Sequence, residues 1–248
     1  MSDEHPNPEI PAHHSPFDNA LSHFSDRFNS DGPIKIVAIG SSSTAGEGGI
    51  APYPCRLELA LRDEHSWPDG ADKFKKRMID VINRGVGGEE APDERDRLQR
   101  DVIEENPSLV IWQVGTNAVW KAYNLNGVAA AIDAGLKLLL RSRPGMDVVL
   151  MDLQYAPAIL SDNRIKEAEL MVKLISDVAA ANPPVNLFRR FELMRRWHKI
   201  ERYSFDRMID PSDVDRLHQS DWSAQRIGLA LCEVIVNGAI RADRAQSS

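Results

Sequence analysis

Four short segments of the chain contain residue types that could act together on an ester. Residues 40–46 read GSSSTAG and follow an apolar run, residues 83–88 read NRGVGG, residues 115–117 read GTN, and residues 215–218 read DRLH. A serine that attacks an ester needs a base, a group that orients this base, and donors for the oxyanion. Each segment alone is also compatible with an ordinary turn, but together they offer all of these groups.

Asp215 and His218 are the candidates for the base and the group that orients it. A carboxylate three residues before a histidine can accept the Nδ1–H hydrogen bond, which fixes the tautomer and leaves Nε2 as the base. A D-x-x-H sequence on the surface also arises by chance. In the same way, Asn117 could be an oxyanion donor or an ordinary helix N-cap. The turn at residues 40–46 could also bind phosphate through its backbone N–H groups, although no G-K-[ST] sequence follows it.

The four segments lie where apolar runs of strand length alternate with helical patterns. The runs are rich in valine and isoleucine and apolar on both faces, which is typical of strands in parallel sheets. They occupy residues 34–40, 77–83, 109–115, 147–153 and 185–190. Helical patterns lie near residues 52–65, 91–105, 126–142, 163–182 and 221–240. This alternation predicts a three-layer α/β fold with a doubly wound, mainly parallel five-stranded sheet, whose sites gather at the C-terminal ends of the strands.

The chain before this alternating region has a different character. Its first residues, to about residue 16, are polar and rich in proline, which is typical of a disordered tail. Four apolar side chains then recur on one face of a short helix: Phe17, Leu21, Phe24 and Phe28. This face could dock on its own domain, or it could contact a second copy or act in a lid. We therefore divide the chain into an N-terminal segment, residues 1–33, and one domain, residues 34–242.

The composition of the chain excludes several classes of function. The formal net charge is −7, so the surface offers little to a polyanion, and we expect no nucleic-acid partner. The hydrophobic fraction of 42% is that of an ordinary globular protein. No stretch approaches the ~20 apolar residues of a membrane span, and the N-terminus has no apolar signal segment, which predicts a cytoplasmic protein. We expect no cofactor and no metal ion.

The four segments resemble the sequence blocks of the SGNH (GDSL-type) hydrolases, in the same order and at typical spacing. The first block of that family reads G-D-S-x-T/S-x-G, so its match to GSSSTAG selects Ser42 as the nucleophile over Ser41 and Ser43. Two positions depart from the family pattern. Ser41 stands where the family has aspartate, and Ala118 stands where an aspartate often follows the asparagine of the third block.

The resemblance implies a flavodoxin-like fold and a catalytic triad of Ser42, Asp215 and His218. The oxyanion hole would combine the N–H groups of Ser42 and Gly88 with the side-chain amide of Asn117. The implied substrate is a carboxylic ester of a small molecule or a carbohydrate. The short loop after the first strand indicates an open, shallow site, which favours a short acyl group such as acetyl.

Other residues near the strand ends could contact the substrate. Trp120 follows the third block, Gln154 and Tyr155 follow the fourth strand, and Met208 precedes the D-x-x-H sequence. Packing in the core is an equally good interpretation of each of them. Four arginines are interpreted as a solvated face paired with acidic residues, although they could attract an anionic substrate: Arg189, Arg190, Arg195 and Arg196.

Two further functions are compatible with the same residues. An acyltransferase would use the activated serine to pass its acyl group to a sugar or another alcohol instead of water. A non-catalytic module would use the GSSST turn to bind a phosphate or a nucleotide, but such a module has no need for the D-x-x-H sequence. The sequence therefore favours an activated serine over the non-catalytic module, and it does not separate an esterase from an acyltransferase.

Overall fold

A central sheet organises the computed structural model, which describes residues 16–142, 145–161 and 164–246. Its five strands are β1 (Ile34–Gly40), β2 (Ile79–Gly85), β3 (Leu109–Gln113), β4 (Asp147–Met151) and β5 (Asn186–Phe188). All neighbouring strands are parallel, and they lie in the order β2-β1-β3-β4-β5. With helices on both faces of this sheet, the predicted doubly wound α/β fold is confirmed.

The strands differ from the predicted runs by up to two residues. The second strand starts two residues later than predicted, at Ile79, and β3 and β4 end two residues earlier, at Gln113 and Met151. Val114 and Leu153 lie beyond those ends, where hydrogen-bond pairing between the strands has stopped, but both side chains are still buried. Apolar runs therefore report burial in the core, and hydrogen-bond pairing covers only part of each run.

Helices connect the strands and cover both faces of the sheet. In the described part of the chain they are α1 (Ser22–Arg27), α2 (Ser42–Ala45), α3 (Tyr53–Arg62), α4 (Ala91–Asp96), α5 (Leu98–Asp101), α6 (Thr116–Trp120), α7 (Leu125–Arg141), α8 (Ile165–Ala181), α9 (Arg190–Lys199), α10 (Phe205–Met208) and α11 (Asp221–Gln246). The helices α3, α7, α8 and α11 lie where the sequence predicts them. The short helices α2, α6, α9 and α10 were not predicted, because four to ten residues give little hydrophobic periodicity.

The helix predicted near residues 91–105 is broken into α4, α5 and a 3₁₀ turn at Ile103–Glu105. Its start is well specified, since Glu90 and Asp93 form a reciprocal capping box. The break falls at Arg97, whose backbone leaves the helical region (φ −107°, ψ 2°). Its guanidinium binds Glu89 and Asp101 at 2.7 and 2.9 Å, so this side chain ties the break to the loop after β2.

The N-terminal segment packs into the same core as the sheet. The four side chains of the predicted apolar face are buried: Phe17, Leu21, Phe24 and Phe28. The helix itself is shorter than this pattern, because only α1 is helical. The N–H of Leu21 donates to Gly238 O on α11 at 3.2 Å. From residue 17 onward the apolar side chains of the N-terminal segment therefore belong to the same hydrophobic core as the sheet. The residues before 16 lie outside the described ranges.

The strand order reverses direction between β1 and β3. In parallel α/β sheets the crevice at such a point, beyond the carboxyl ends of the strands, is where sites form. Ser42 follows β1, Gly88 lies in the loop after β2, and Asn117 follows β3, so the fold brings three of the four predicted segments to this crevice. Among the helices in the described ranges, none combines the length and apolar character needed to cross a lipid bilayer.

Candidate active site

Ser42 begins the short helix α2, directly beyond the C-terminal end of β1. Its Oγ lies 3.1 Å from Nε2 of His218, although the two residues are 176 positions apart in the chain. The N–H groups of the first helical turn have no partner within the helix, so the N–H of Ser42 is available as a donor. The serine is largely buried, with 8% of its surface exposed, and its hydroxyl lies at the bottom of an open pocket.

The carboxylate that contacts His218 belongs to Asp213, which differs from the prediction that Asp215 orients the base. Oδ2 of Asp213 lies 3.1 Å from Nδ1 of His218. A carboxylate only accepts hydrogen bonds when it is ionised, so Nδ1 carries the proton and Nε2 is free to accept from the hydroxyl of Ser42. The arrangement Asp213–His218–Ser42 is therefore that of an orienting acid, a base and a nucleophile.

The turn before His218 explains why the nearer aspartate is not the partner. Oδ2 of Asp213 also accepts the backbone N–H groups of Leu217 and His218, each at 2.7 Å, so this carboxylate lies inside the turn. Arg216 has a left-handed backbone (φ 55°), which turns the chain between Asp215 and His218. Asp215 is exposed and lines the pocket.

The ionised state of Asp213 is stabilised by its hydrogen bonds. Partial burial disfavours the charged carboxylate, but the N–H groups of His218 and Leu217 and the imidazole outweigh this effect and lower the pKa of Asp213 below its ordinary value. Because the pKa of Asp213 is lower in the folded protein than in the unfolded chain, its ionised form stabilises the fold above the ordinary pKa of an aspartate. This stabilisation is lost as the pH falls through the lower pKa of the folded protein. The orienting carboxylate is therefore charged at neutral pH.

The predicted oxyanion donors lie around the same pocket. Gly88 and Asn117 line it together with Ser42. Gly88 has a positive φ of 82°, a conformation that other residues rarely adopt. One N–H of the Asn117 amide donates to Glu89 O at 2.8 Å, which fixes the side chain and leaves its second N–H for a ligand. The three residues predicted to supply the oxyanion donors thus line one pocket.

Glu90 connects the two loops that carry these donors. This fully buried carboxylate accepts the N–H of Gly115 at 2.9 Å through Oε1 and the N–H of Ala118 at 2.8 Å through Oε2. Burial raises the pKa of Glu90 although these N–H groups oppose the effect. Since Glu90 follows Gly88 by two residues and holds the turn that contains Asn117, it fixes both donors relative to each other.

The pocket beside Ser42 has a volume of about 220 Å³ and mixed character. It is lined by Ser42, Glu47, Gly88, Asn117, Trp120, Lys121, Asp215, Leu217 and His218. The ammonium of Lys121 donates to Gly88 O at 2.7 Å, so its charge is partly engaged by the loop. The carboxylates of Glu47 and Asp215 are exposed at the rim, which disfavours a strongly anionic ligand.

Of the four predicted substrate contacts, the structure brings only Trp120 to this pocket. The ring of Trp120 is covered on one face by the guanidinium of Arg164, at 4.6 Å from the ring centroid. Gln154 is buried and donates through Nε2 to Leu217 O, so it holds the backbone beside the base. Tyr155 and Met208 are also buried and do not line the pocket, because both point into the core.

Arg190 corrects the prediction that the arginines of this region form a solvated face. Its side chain is completely buried, and its guanidinium donates to Asp152 O, Ser43 Oγ and Thr116 Oγ1 at 3.1, 3.1 and 3.3 Å. Burial lowers the pKa of Arg190 to about 10, which still leaves it charged at neutral pH. A buried positive charge therefore lies below the loop that carries the nucleophile.

Asp152 is the neighbouring buried acid. Burial raises its pKa to about 7, against the lowering effects of the Phe191 N–H and of Arg190. Its Oδ1 accepts the N–H of Phe191 at 2.9 Å, while within the described residues Oδ2 has no hydrogen-bond partner. Because the pKa of Asp152 is raised, the folded protein binds this proton more tightly than the unfolded chain does. Protonation of Asp152 therefore stabilises the fold at low pH, and this stabilisation is lost as the pH rises through about 7.

We expect Asp152→Asn to flatten the pH dependence of stability. Between pH 5 and pH 8 the wild type should lose on the order of 2 kcal/mol of unfolding free energy through this group, by linkage. Asparagine keeps the acceptor for Phe191 without a titrating group, so the variant should lose less. Thermal unfolding at both pH values measures the difference, and the exposed Asp177→Asn serves as the control. Equal losses in the wild type and Asp152→Asn would contradict the prediction.

Several residues of the site were not predicted from the sequence: Asp213, Gln113, Glu90, Glu47 and Lys121. Gln113 carried a signal, because it is a polar residue within the apolar run LVIWQVG and a buried amide must find partners. The signal for Asp213 was weak: PSDVDRLH contains two aspartates, and the D-x-x-H spacing selects Asp215 as the partner of the histidine. In the described ranges the structure has no cluster of three or more His, Cys, Asp or Glu side chains arranged to hold a metal ion.

Fold and site together define the class of this protein: it has the parallel α/β fold of the SGNH-like hydrolases, with a serine, a histidine and an aspartate in contact at the switch point of the sheet. The predicted relationship to the SGNH hydrolases is thus supported at the level of an SGNH-like fold. The chain belongs to the non-GDSL lipase-like family, which it matches over residues 7–241. That name agrees with Ser41, which stands where a GDSL-type block has its aspartate.

Solved structures share the fold. A catalytic mutant of Axe2, an acetylxylan esterase from Geobacillus stearothermophilus, has a TM-score of 0.65 and 17% identity, with coverage of 82% of this chain and 94% of that chain. The lipase/acylhydrolase from Enterococcus faecalis has a TM-score of 0.63 and 22% identity, with coverage of 82% and 96%.

A curated relative matches a smaller part of the chain. The uncharacterized lipoprotein YqeF from Bacillus subtilis (strain 168) is 29% identical over 83 residues, which are 33% of this chain and 31% of that protein. The matched region thus spans about a third of the relative. The cytoplasmic location of the present chain stays a prediction.

Proposed function

We propose that this protein is a serine esterase that hydrolyses carboxylic esters through an acyl-enzyme on Ser42. The observation that carries the proposal is the contact of Ser42 Oγ with Nε2 of His218, at 3.1 Å, while Nδ1 of the same ring contacts Asp213. A base within hydrogen-bond reach of a hydroxyl, and itself oriented by a carboxylate, is the arrangement that activates a serine for acyl transfer.

In the proposed mechanism, His218 removes the proton of Ser42 as Oγ attacks the carbonyl carbon. The carbonyl oxygen becomes an oxyanion, which accepts hydrogen bonds from the N–H groups of Ser42 and Gly88 and from the amide of Asn117. Asp213 stabilises the imidazolium that forms. His218 then returns the proton to the departing alcohol, and water, deprotonated by the same ring, releases the acid from Ser42.

We further propose a short acyl group, such as acetyl, and an uncharged alcohol. A second hollow beside Ser42 has a volume of only about 20 Å³ and is lined on one side by Ile50, Pro52 and Ala224. Such a hollow has room for roughly one water-sized group. The larger pocket, open to solvent and bordered by Glu47 and Asp215, would receive the alcohol part. The similarity in fold to an acetylxylan esterase agrees with an acetylated carbohydrate as one substrate.

A serine-directed fluorophosphonate probe tests the proposed function. The wild type should be labelled and Ser42→Ala should not, while Ser43→Ala should still be labelled, although more slowly, because its hydroxyl does not contact His218. A panel of p-nitrophenyl esters from acetate to octanoate, together with acetylated sugars, measures the acyl preference. Wild-type protein that is neither labelled nor active on any ester would contradict the esterase and favour the non-catalytic binding module.

The acyltransferase alternative uses the same site and differs only in the acceptor. We favour hydrolysis because the pocket beside Ser42 is open to solvent and therefore admits water. Acyl-donor turnover with and without a sugar acceptor distinguishes the two reactions. If the main product is an acylated sugar, the protein is an acyltransferase, and the proposed role of Ser42 as the nucleophile is unchanged.

Loss of the Asn117 amide should slow the reaction without affecting binding to the same extent. Asn117→Ala is expected to lower kcat by about 10²–10³-fold, because an oxyanion donor acts mainly in the transition state. Kinetics on p-nitrophenyl acetate measure the effect. Asn124→Ala, which removes the N-cap of the next helix, is the matched control and should change stability alone. An unchanged kcat in Asn117→Ala would exclude this side chain from the oxyanion hole.

A further inference from the structure

The nucleophile lies on an element too short to hold itself in place. Helix α2 has four residues, and isolated helices of this length are unstable in water. The hydroxyl of Ser42 contacts the base, so it does not anchor its own loop. Where the related SGNH block has an aspartate beside the nucleophile, this chain has Ser41. Other groups must therefore fix the position of Ser42.

One buried side chain binds this loop on both sides of Ser42. Oε1 of Gln113, at the end of β3, lies 3.3 Å from both the backbone nitrogen and the hydroxyl of Ser41. The same oxygen lies 2.9 Å from the hydroxyl of Ser43 and 3.2 Å from that of Thr44. Because an amide oxygen has two lone pairs, these donors share it, and Ser43 is the nearest of them. Gln113 is 1% exposed, so these contacts are shielded from bulk solvent. A single acceptor thus gathers the residues before and after the nucleophile.

The close approach of Gln113 depends on a glycine. A Cβ at Gly40 would lie 2.9 Å from Oε1 of Gln113 and 2.5 Å from Oγ1 of Thr44, which is closer than real contacts allow. The residue that ends β1 therefore has no side chain because the amide of β3 reaches across it. The first glycine of GSSSTAG has a specific partner in this structure.

Arg190 fixes the direction of one hydroxyl in this set. Its guanidinium only donates, and it donates to Ser43 Oγ at 3.1 Å. The proton of Ser43 is then directed to Gln113, which must present its oxygen and not its amino group, because the N–H of Ser41 also points at it. The chain Arg190–Ser43–Gln113 thus has one consistent pattern of donors and acceptors.

We propose that Gln113 is a positioning residue for the nucleophile, with Arg190 acting on it through Ser43. Its amide oxygen supplies, from the neighbouring strand, an acceptor beside Ser42 in a chain that lacks the aspartate at position 41. The proposal rests on the proposed function where it concerns the reactivity of Ser42. It goes beyond that function because it assigns the geometry of the loop to a residue outside the triad and the oxyanion hole.

Gln113→Leu removes the acceptor and keeps a similar side-chain size. We expect kcat on p-nitrophenyl acetate and the rate of fluorophosphonate labelling to fall by about 10–100-fold, with KM changed by less than about threefold, as for a misplaced reacting group. Gln113→Glu keeps an acceptor in the same place and should recover most of the loss. Asn186→Leu, which removes a buried amide at the far end of β5, should lower the melting temperature without lowering kcat.

A folded Gln113→Leu variant with the kcat and labelling rate of the wild type would overturn the proposal. If this variant does not fold, Ser43→Ala tests the positioning role instead. It breaks the link between Arg190 and Gln113 and should lower kcat by roughly 3–10-fold. A wild-type kcat in Ser43→Ala would then overturn the proposal.

Hydrogen exchange separates this proposal from the proposed function. Amides of residues 41–46 should exchange faster in Gln113→Leu, or in Ser43→Ala where the first does not fold, than in the wild type. This readout does not depend on any reaction of Ser42. Wild-type protein that fails to react with the probe would contradict the esterase, while unchanged exchange in residues 41–46 would contradict the positioning role.

Discussion

Ser42→Ala is expected to lower kcat on p-nitrophenyl acetate at least about a thousandfold, to a rate set by the oxyanion donors and substrate binding alone. The reason is that the acyl-enzyme cannot form without Oγ. Water must then attack the ester directly, in one step with a higher barrier than either step of the covalent route. His218→Ala should cost nearly as much, and the double variant should cost little more than either single one. Groups that act as a unit show this lack of additivity.

Steady-state kinetics and the burst of p-nitrophenol measure this prediction. The burst reports the acyl-enzyme directly and should disappear in Ser42→Ala. Far-UV circular dichroism of each variant checks that the fold is kept. A Ser42→Ala protein with more than about a tenth of the wild-type kcat, or purely additive losses in the double variant, would exclude the mechanism proposed above.

Asp213→Asn is expected to lower kcat by about 10³-fold, whereas Asp215→Asn should change it by less than about tenfold. The amide oxygen of an asparagine at position 213 would take the place of Oδ2, which accepts from the N–H groups of Leu217 and His218 and contacts Nδ1 of the ring. The variant therefore keeps these contacts but loses the negative charge that stabilises the imidazolium in the transition state. Asp215 borders the pocket without contacting the ring, so its replacement changes mainly the charge at the rim.

The comparison of these two variants decides which carboxylate orients the base. The two residues lie in the same turn and the changes are identical, so each variant is the matched control of the other. Thermal unfolding accounts for the backbone N–H groups of Leu217 and His218 that Asp213 accepts. A larger loss in Asp215→Asn would return the role to the residue that the D-x-x-H spacing indicates and would exclude Asp213.

The sequence was sufficient for the fold because the information was repeated along the chain. Five apolar runs alternate with helical patterns, and an error at one boundary does not change the order of the others. Ser42 and His218 could be selected for a similar reason, since residue type, motif and position beyond a strand or before a helix all agree. Asn117 and Gly88 also follow strand ends, which a parallel sheet brings together.

The remaining parts of the site depend on distances that no motif encodes. Asp213 and Asp215 are chemically identical and two residues apart, and the left-handed backbone of Arg216 decides which of them reaches the ring. Arg190 follows a strand, as Gln154 does, and both are polar, yet both are buried. Whether such a side chain faces the pocket or the core depends on the packing of neighbouring elements, which periodicity does not report.

The contact between the N-terminal segment and α11 has a consequence for how the chain folds. Arg241 donates to Phe17 O at 2.6 Å across 224 residues, and Leu21 packs on the same helix. Contacts at such sequence separations form late and slow folding, because a long loop must close first. During synthesis these aromatic side chains leave the ribosome long before α11, because 224 residues separate Phe17 from Arg241. A nascent chain must therefore keep this apolar surface from aggregating until α11 has emerged.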